Sequence, residues 1–145
     1  MLLQNVSKNV GPTRLQLSRI LIIEDDLAIS ELLDMYFKMN GYYCRIENNA
    51  TDILGLIDEC KPDLVIVDYL LPGVNGGELC AQIKRSLQWS HIPVVIFSAY
   101  PKVMLSLGTY GCDAFVAKPF DLEELKAEVE ALLVSHGMAQ HQRIG

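Results

Sequence analysis

The chain contains 145 residues, of which 50% are hydrophobic and 21% are charged, and its net charge is −6. This length suits one domain with a substantial core, and the acidic charge disfavours direct binding to nucleic acid or to an anionic membrane surface. No apolar run approaches the length that spans a bilayer and the N-terminus carries no secretory pattern, so we predict a cytoplasmic protein that does not contact membranes.

Five apolar segments of strand length alternate with segments of helical periodicity, which predicts an α/β fold with a parallel sheet. The second of these segments is less apolar than the others. The third is apolar at every position, as expected for a strand that is covered on both faces. The predicted strands cover residues 19–24, 42–47, 64–67, 93–97 and 114–117.

Apolar residues at helical spacing predict a helix after each strand. Asn40-Gly41 is suited to ending the first helix, and Asp121 is suited to capping the last one. Leu87 is the last apolar member of the third stripe. The four clear stripes cover residues 29–37, 53–60, 79–87 and 122–133. A short fourth helix is predicted between the last two stripes, at residues 102–109.

Right-handed crossovers would wind this chain into a doubly wound, flavodoxin-like sheet of five parallel strands in the order 2-1-3-4-5. Ligands of such folds bind at the carboxyl ends of the strands where the strand order reverses, which here means the first and third strands. We assign residues 19–135 to this domain. Residues 1–18 and 136–145 lack a clear pattern and are predicted to be an N-terminal extension and a C-terminal tail.

Polar side chains follow four of the predicted strands. Glu24 and Asp25 follow the first, Asp68 the third, Ser98 the fourth and Lys118 the fifth. All of these strand ends meet at one edge of a parallel sheet. Three carboxylates crowded at that edge would resist ionisation, and a hard cation that takes oxygen ligands relieves their repulsion. The sequence therefore predicts a Mg²⁺ site.

Within this group we predict that Asp25 and Asp68 are direct Mg²⁺ ligands, and that Glu24 acts through a bound water. Asp26 stands at the start of the first predicted helix. We interpret it as a helix cap rather than a ligand.

Asp68 is also the predicted nucleophile, because a carboxylate can accept a phosphoryl group to form an aspartyl phosphate. Phosphoryl transfer requires neutralisation of charge and alignment more than it requires a base. Mg²⁺ and Lys118 would supply the positive charge, and the Ser98 hydroxyl would hold a phosphoryl oxygen. Pro119 follows Lys118 directly and can fix this turn, as a cis peptide among other arrangements.

Four segments in order carry a family resemblance: Ile-Leu-Ile-Ile-Glu-Asp-Asp at 20–26, Val-Ile-Val-Asp-Tyr-Leu-Leu-Pro-Gly-Val-Asn-Gly at 65–76, Ile-Phe-Ser-Ala at 96–99 and Ala-Lys-Pro-Phe at 117–120. Because of these four segments, the chain resembles the receiver domain of two-component response regulators, and the resemblance extends over about residues 19–135. One segment alone is weak evidence, whereas all four in order are highly specific.

The resemblance implies that Asp68 is the phosphoacceptor and that a histidine kinase or a histidine phosphotransfer protein is the donor. It implies a metal site built from Asp25, Asp68 and the Leu70 backbone carbonyl, with Glu24 as the paired acid. Lys118 matches the lysine of the family pattern. Such a module assists its own phosphorylation and dephosphorylation but is not a turnover enzyme.

Signal output in this family passes through a switch. Ser98 matches the switch hydroxyl and Phe115 the switch aromatic, and phosphorylation draws both inward. A face formed by the fourth helix, the fifth strand and the last helix then changes its preference for partners. The resemblance thus implies a downstream effector protein, and it allows a homodimer that depends on phosphorylation.

This chain also departs from the family pattern. Phe115 lacks a hydroxyl, Asn75 replaces an aspartate, and the stretch between the fourth and fifth strands is short. Leu70 and Tyr100 are bulky at positions that border the path of the attacking water in the family. We therefore hypothesise slow self-dephosphorylation, unless both side chains point to solvent or to a partner.

Three other functions fit parts of the pattern. A receiver-like adaptor that works without phosphorylation would not need the intact set of site residues. A phosphatase with an aspartate nucleophile would need an acid where Leu70 stands. A flavodoxin-like cofactor binder would need small or hydroxyl residues after the first strand, where this chain has acids.

Overall fold

A parallel sheet of five strands forms the centre of the protein. The computed structural model describes residues 17–100 and 110–144. The strands are β1 Arg19–Ile23, β2 Tyr43–Glu47, β3 Leu64–Asp68, β4 Val94–Ser98 and β5 Ala114–Ala117. They pair in the order β2-β1-β3-β4-β5, and every pair is parallel. The predicted fold class is therefore confirmed, and the strand order reverses between β1 and β3.

Helices cover both faces of this sheet. In the described residues they are α1 Leu27–Met39, α2 Ile53–Cys60, α3 Gly76–Arg85 and α4 Leu122–Ile144. Short polar side chains start them, because the first backbone N–H groups of a helix lack partners. Asp26 accepts from Ile29 N at 3.1 Å, as its predicted role as a cap requires. Asp121 accepts from Glu123 N at 2.7 Å, so the predicted cap of the last helix is also confirmed.

The core consists of two layers, because successive side chains of a strand point to opposite faces of the sheet. Val65 and Val67 of β3 pack with α2 and α3, and Leu64 and Ile66 pack with α1 and α4. All four side chains have no exposed surface. Burying an aliphatic side chain of this size contributes about 1.5–3 kcal/mol. The unbroken apolar pattern of β3 is thus explained by the helices on both of its sides.

Several elements end at other residues than predicted. Strand β1 ends one residue earlier than predicted, at Ile23, and β3 includes Asp68. Leu87, the last apolar residue of the predicted third stripe, lies outside the helix and is fully exposed, because α3 ends at Arg85. Helix α4 does not stop near residue 135 but continues to Ile144.

The predicted helix at residues 102–109 and most of the predicted N-terminal extension lie outside the described residues. Among the helices that are described, none combines the length and the apolar character that crossing a membrane requires.

Candidate functional site

The parallel register brings the polar residues of four strand ends to one edge of the sheet. Asp68 is the last residue of β3 and Ser98 the last of β4. Backbone pairing also continues one residue past the ends of β1 and β5. Glu24 N donates to the Glu47 carbonyl oxygen at 3.0 Å, and Lys118 N donates to the Ser98 carbonyl oxygen at 2.8 Å. The backbone of this edge is therefore held by the sheet itself, which gives the side chains fixed starting points.

Three carboxylates meet at this edge, as the sequence predicts. Glu24, Asp25 and Asp68 each offer one oxygen, and these oxygens all lie within 4.8 Å of one another. Their environments differ: Glu24 is fully buried, Asp68 is 5% exposed and Asp25 is exposed. Carboxylate oxygens at such spacing are the ligands that a hard divalent cation prefers.

Lys118 places its ammonium group among these acids. Its Nζ lies 3.1 Å from Glu24 Oε2 and 3.3 Å from Asp68 Oδ1. The same Nζ lies 4.7 Å from the centre of the Phe97 ring, which covers it on one side. The peptide bond between Lys118 and Pro119 is cis, one of the arrangements predicted for this turn. One cation thus contacts two carboxylates in a largely buried setting.

Glu24 is the acid whose ionisation is most strongly affected. The pKa of Glu24 is raised from 4.5 to about 7, chiefly by burial and also by the charge of Asp68. Hydrogen bonds from Asp26 N and from Lys118 lower it, but they do not compensate for the desolvation. Both oxygens are in use, since Oε1 accepts from Asp26 N at 3.0 Å and Oε2 contacts Lys118. Asp25, by contrast, faces solvent.

Ser98 and Phe115, the predicted switch pair, occupy different environments. Ser98 is 1% exposed, and its Oγ accepts from Tyr100 N at 2.9 Å. Phe115 is half-buried and packs against the core layer that contains α2 and α3. The hydroxyl lies at the same sheet edge as Asp68, whereas the switch roles of both residues remain predictions.

The two bulky residues predicted to border the water path are both largely in solvent. The side chain of Leu70 is 52% exposed and that of Tyr100 is 54% exposed. Leu70 lies two residues after Asp68, in the loop that follows β3, and its backbone carbonyl is the predicted metal ligand. Its part in metal binding remains a prediction.

Sequence reasoning missed how closely the start of α3 approaches the phosphoacceptor candidate. A Cβ on Gly76 would lie 2.2 Å from the Asp68 carbonyl oxygen. Gly76 N also donates to the Tyr69 carbonyl oxygen at 2.8 Å. The Asn75-Gly76-Gly77 sequence indicated a turn, but only the structure reveals this close contact.

Comparison with known proteins agrees with the fold described above. Residues 20–130 match the family model described as the response regulator receiver domain. Over 117 residues the chain is 36% identical to the DNA-binding dual master transcriptional regulator RpaA of Synechocystis. Over 118 residues it is 34% identical to the DNA-binding response regulator MtrA of Mycobacterium tuberculosis. Each match covers 79% of this chain, which spans about half the length of either relative (48% and 50%).

Solved structures of the same fold are also similar. The response regulator TrrA of Thermotoga maritima, in complex with Mg²⁺ and BeF, matches with a TM-score of 0.73 and 29% identity, over 80% of this chain and 99% of that one. A CheY-like receiver domain protein of Methanospirillum hungatei matches with a TM-score of 0.76 and 25% identity, over 86% and 99%.

Proposed function

We propose that this chain, which belongs to the receiver domain family of two-component response regulators, accepts a phosphoryl group on Asp68 from a phosphohistidine donor. Phosphorylation then alters its contacts with other proteins. The observation that carries the proposal is that Asp68 Oδ1 lies 3.3 Å from Lys118 Nζ within the three-carboxylate group. A nucleophile, a fixed cation and a set of oxygen ligands are the parts that phosphoryl transfer to an aspartate needs.

In the transfer step, one Asp68 carboxylate oxygen attacks the phosphorus atom and a new P–O bond forms. The P–N bond to the donor imidazole breaks, and the nitrogen keeps the electron pair and takes a proton. The product is an acyl phosphate. The Lys118 ammonium faces the charge that spreads over the phosphoryl oxygens, and the Ser98 hydroxyl can donate to one of them. The domain would assist its own phosphorylation in this way without being a turnover enzyme.

The acid group fits Mg²⁺, which takes oxygen ligands and keeps several waters. Asp25 and Asp68 would hold the ion with the Leu70 carbonyl, and Glu24 would act through water because Asp26 N and Lys118 already engage its oxygens. The bound ion would neutralise phosphoryl charge. The Mg²⁺ and BeF complex of the similar TrrA supports this assignment.

We further propose that Ser98 and Phe115 transmit the phosphorylation signal, the former from the sheet edge beside Asp68 and the latter from β5. Output passes to a downstream effector protein, with phosphorylation-dependent homodimerisation as one form of response. The acidic net charge of −6 argues against direct nucleic-acid contact by this domain, although RpaA and MtrA are DNA-binding proteins as a whole. A cytoplasmic location suits a histidine kinase or a histidine phosphotransfer protein as donor.

Incubation with acetyl phosphate and Mg²⁺, followed by intact mass measurement, tests the proposal. The wild type is expected to gain the mass of one phosphoryl group, and Asp68→Asn is expected to gain none. Asp58→Asn is the matched control, because Asp58 is an exposed carboxylate of α2 and should leave labelling unchanged. Labelling of Asp68→Asn, or no labelling of the wild type, would contradict the proposal and favour an adaptor that works without phosphorylation.

A further inference from the structure

Lys118 reaches the acid group by passing over strand β4. In the sheet, β4 lies between β3, which ends in Asp68, and β5, which Lys118 follows directly. Neighbouring strands are about 4.8 Å apart. The lysine side chain therefore has to cross a whole strand before its Nζ lies 3.3 Å from Asp68 Oδ1. The β4 residue on this path is Phe97, the register partner of Asp68, and the centre of its ring lies 4.7 Å from Nζ.

The Phe97 ring is itself held in a defined place. It is 1% exposed and belongs to the core layer that contains α1 and α4. The Phe120 ring packs against it at a centroid distance of 5.6 Å and an interplanar angle of 82°, the edge-to-face arrangement that aromatic pairs favour. Its backbone is bonded as well, since Tyr69 N donates to the Phe97 carbonyl oxygen at 2.9 Å. The ring is therefore a fixed support beside the lysine.

The ring attracts the ammonium group without taking up its hydrogen bonds. The face of an aromatic ring carries partial negative charge and attracts a cation most strongly where water is excluded. The Lys118 side chain is 17% exposed, so little water screens this contact. The N–H donors stay available for oxygen atoms: Nζ donates to Glu24 Oε2 at 3.1 Å and lies beside Asp68. An aliphatic side chain would fill the same space but would not attract the cation.

We propose that Phe97 is a positioning residue for phosphoryl transfer: the face of its ring holds the Lys118 ammonium where charge develops on the phosphoryl group. Phe97 acts through Lys118 and takes no part in bond formation. The inference rests on the proposed function and adds to it a residue of the strand that separates the lysine from the phosphoacceptor. Such support raises the rate because a cation that is already in place does not have to reorganise when the charge develops.

Labelling by acetyl phosphate and Mg²⁺ tests this role with mono-, di- and trifluorinated phenylalanine in place of Phe97. Each fluorine withdraws negative charge from the face of the ring and changes its size little, so the core can stay packed. We expect the maximal rate to fall with each added fluorine and to reach about 2- to 30-fold below the wild-type rate with the trifluorinated ring. The loss stays smaller than that expected for removal of Lys118, because Glu24 and Asp68 still hold the cation.

The same three analogues at Phe37 are the matched control. Phe37 is fully buried in the same core layer, and its ring packs edge-to-face with those of Tyr36 and Tyr42. Within the part of the chain that the structure describes, no lysine or arginine lies over this ring. Labelling should keep the wild-type rate at each degree of fluorination. A rate that is constant across the Phe97 series, or that falls equally in both series, overturns this inference alone.

A double-mutant cycle separates positioning from a general effect on the core. Phe97→Leu should lower the labelling rate of the wild type but leave that of Lys118→Met unchanged, because the ring acts only through the ammonium group. A merely structural role would lower both rates by the same factor, and that result would also overturn the inference. Failure of the wild type to label overturns the proposed function and this inference with it.

Discussion

Replacing Glu24 by glutamine tests how the acid site affects folding stability. Burial raises the pKa of the Glu24 carboxyl from 4.5 to about 7 in the folded protein. Because the folded pKa exceeds the unfolded one, the folded state binds more protons between these two values. The stabilisation from this proton is fully present below pH 4.5 and is lost as the pH rises through about 7. Glutamine has a similar size and does not titrate.

The size of the effect follows from the shift. Each pKa unit corresponds to about 1.36 kcal/mol, so a rise from 4.5 to about 7 corresponds to about 3 kcal/mol. Glu24 is fully buried, and solvent therefore does not screen this difference. We expect the unfolding free energy of the wild type, relative to Glu24→Gln, to fall by about 3 kcal/mol between pH 4.5 and 8.

Urea unfolding in the presence of EDTA, repeated across this pH range, measures the difference directly. Subtracting the Glu24→Gln curve from the wild-type curve removes the contributions of other titrating groups. Glu59→Gln is the control, because it makes the same change at a largely exposed carboxylate of α2, which pairs with Arg45 at 3.1 Å and lies away from the acid group. Added Mg²⁺ should reduce the loss at high pH, since a nearby cation favours the carboxylate form. A difference curve that stays flat from pH 4.5 to 8 would refute the reasoning.

Three further outcomes are expected. Lys118→Met should lower the rate of labelling by acetyl phosphate on the order of 10²-fold, as loss of a preorganised cation at developing charge does, and quenched-time intact mass would measure it. Gly76→Ala should destabilise the protein by about 2–4 kcal/mol in urea unfolding, because its Cβ would collide with a β3 carbonyl oxygen, whereas Gly137→Ala in α4 has open space and should stabilise by about 0.5–1 kcal/mol. Because Leu70 and Tyr100 are both more than half exposed, the labelled wild type should lose its phosphoryl group as fast as Leu70→Ala and Tyr100→Ala do after removal of the donor, and a longer-lived label in the wild type would support shielding of the water path and slow self-dephosphorylation.

The fold could be predicted because strand periodicity and burial agree in this chain. Each predicted strand lies within one residue of an observed one, and β3 is apolar throughout because helices cover both of its faces. The acid group could be predicted for a related reason. Parallel strands end at one edge, so a polar residue after β1 and another at the end of β3 must approach each other.

Other features depend on tertiary contacts that local patterns do not encode. Leu87 fits the apolar stripe of α3, but the helix ends before it and leaves it in solvent. The contact between the rings of Tyr69 and Tyr110 joins residues that are far apart in sequence, and no periodicity connects them. Gly76 leaves room for the Asp68 carbonyl group and Gly77 for the Tyr110 ring, but the sequence indicates only a turn here, because the atoms that a side chain would meet belong to distant parts of the chain.

The adjacent acids at the end of β1 have separate tasks that one residue alone could not perform. The chain bends just after β1, and Glu24 turns inward to contact Lys118 while Asp25 faces solvent. The inner carboxylate holds the ammonium 3.1 Å away and so helps to keep it 3.3 Å from Asp68. The outer carboxylate stays accessible to an arriving cation. In the proposed function, an acid pair at this position would therefore supply an internal partner for the lysine and an open metal ligand from two consecutive residues.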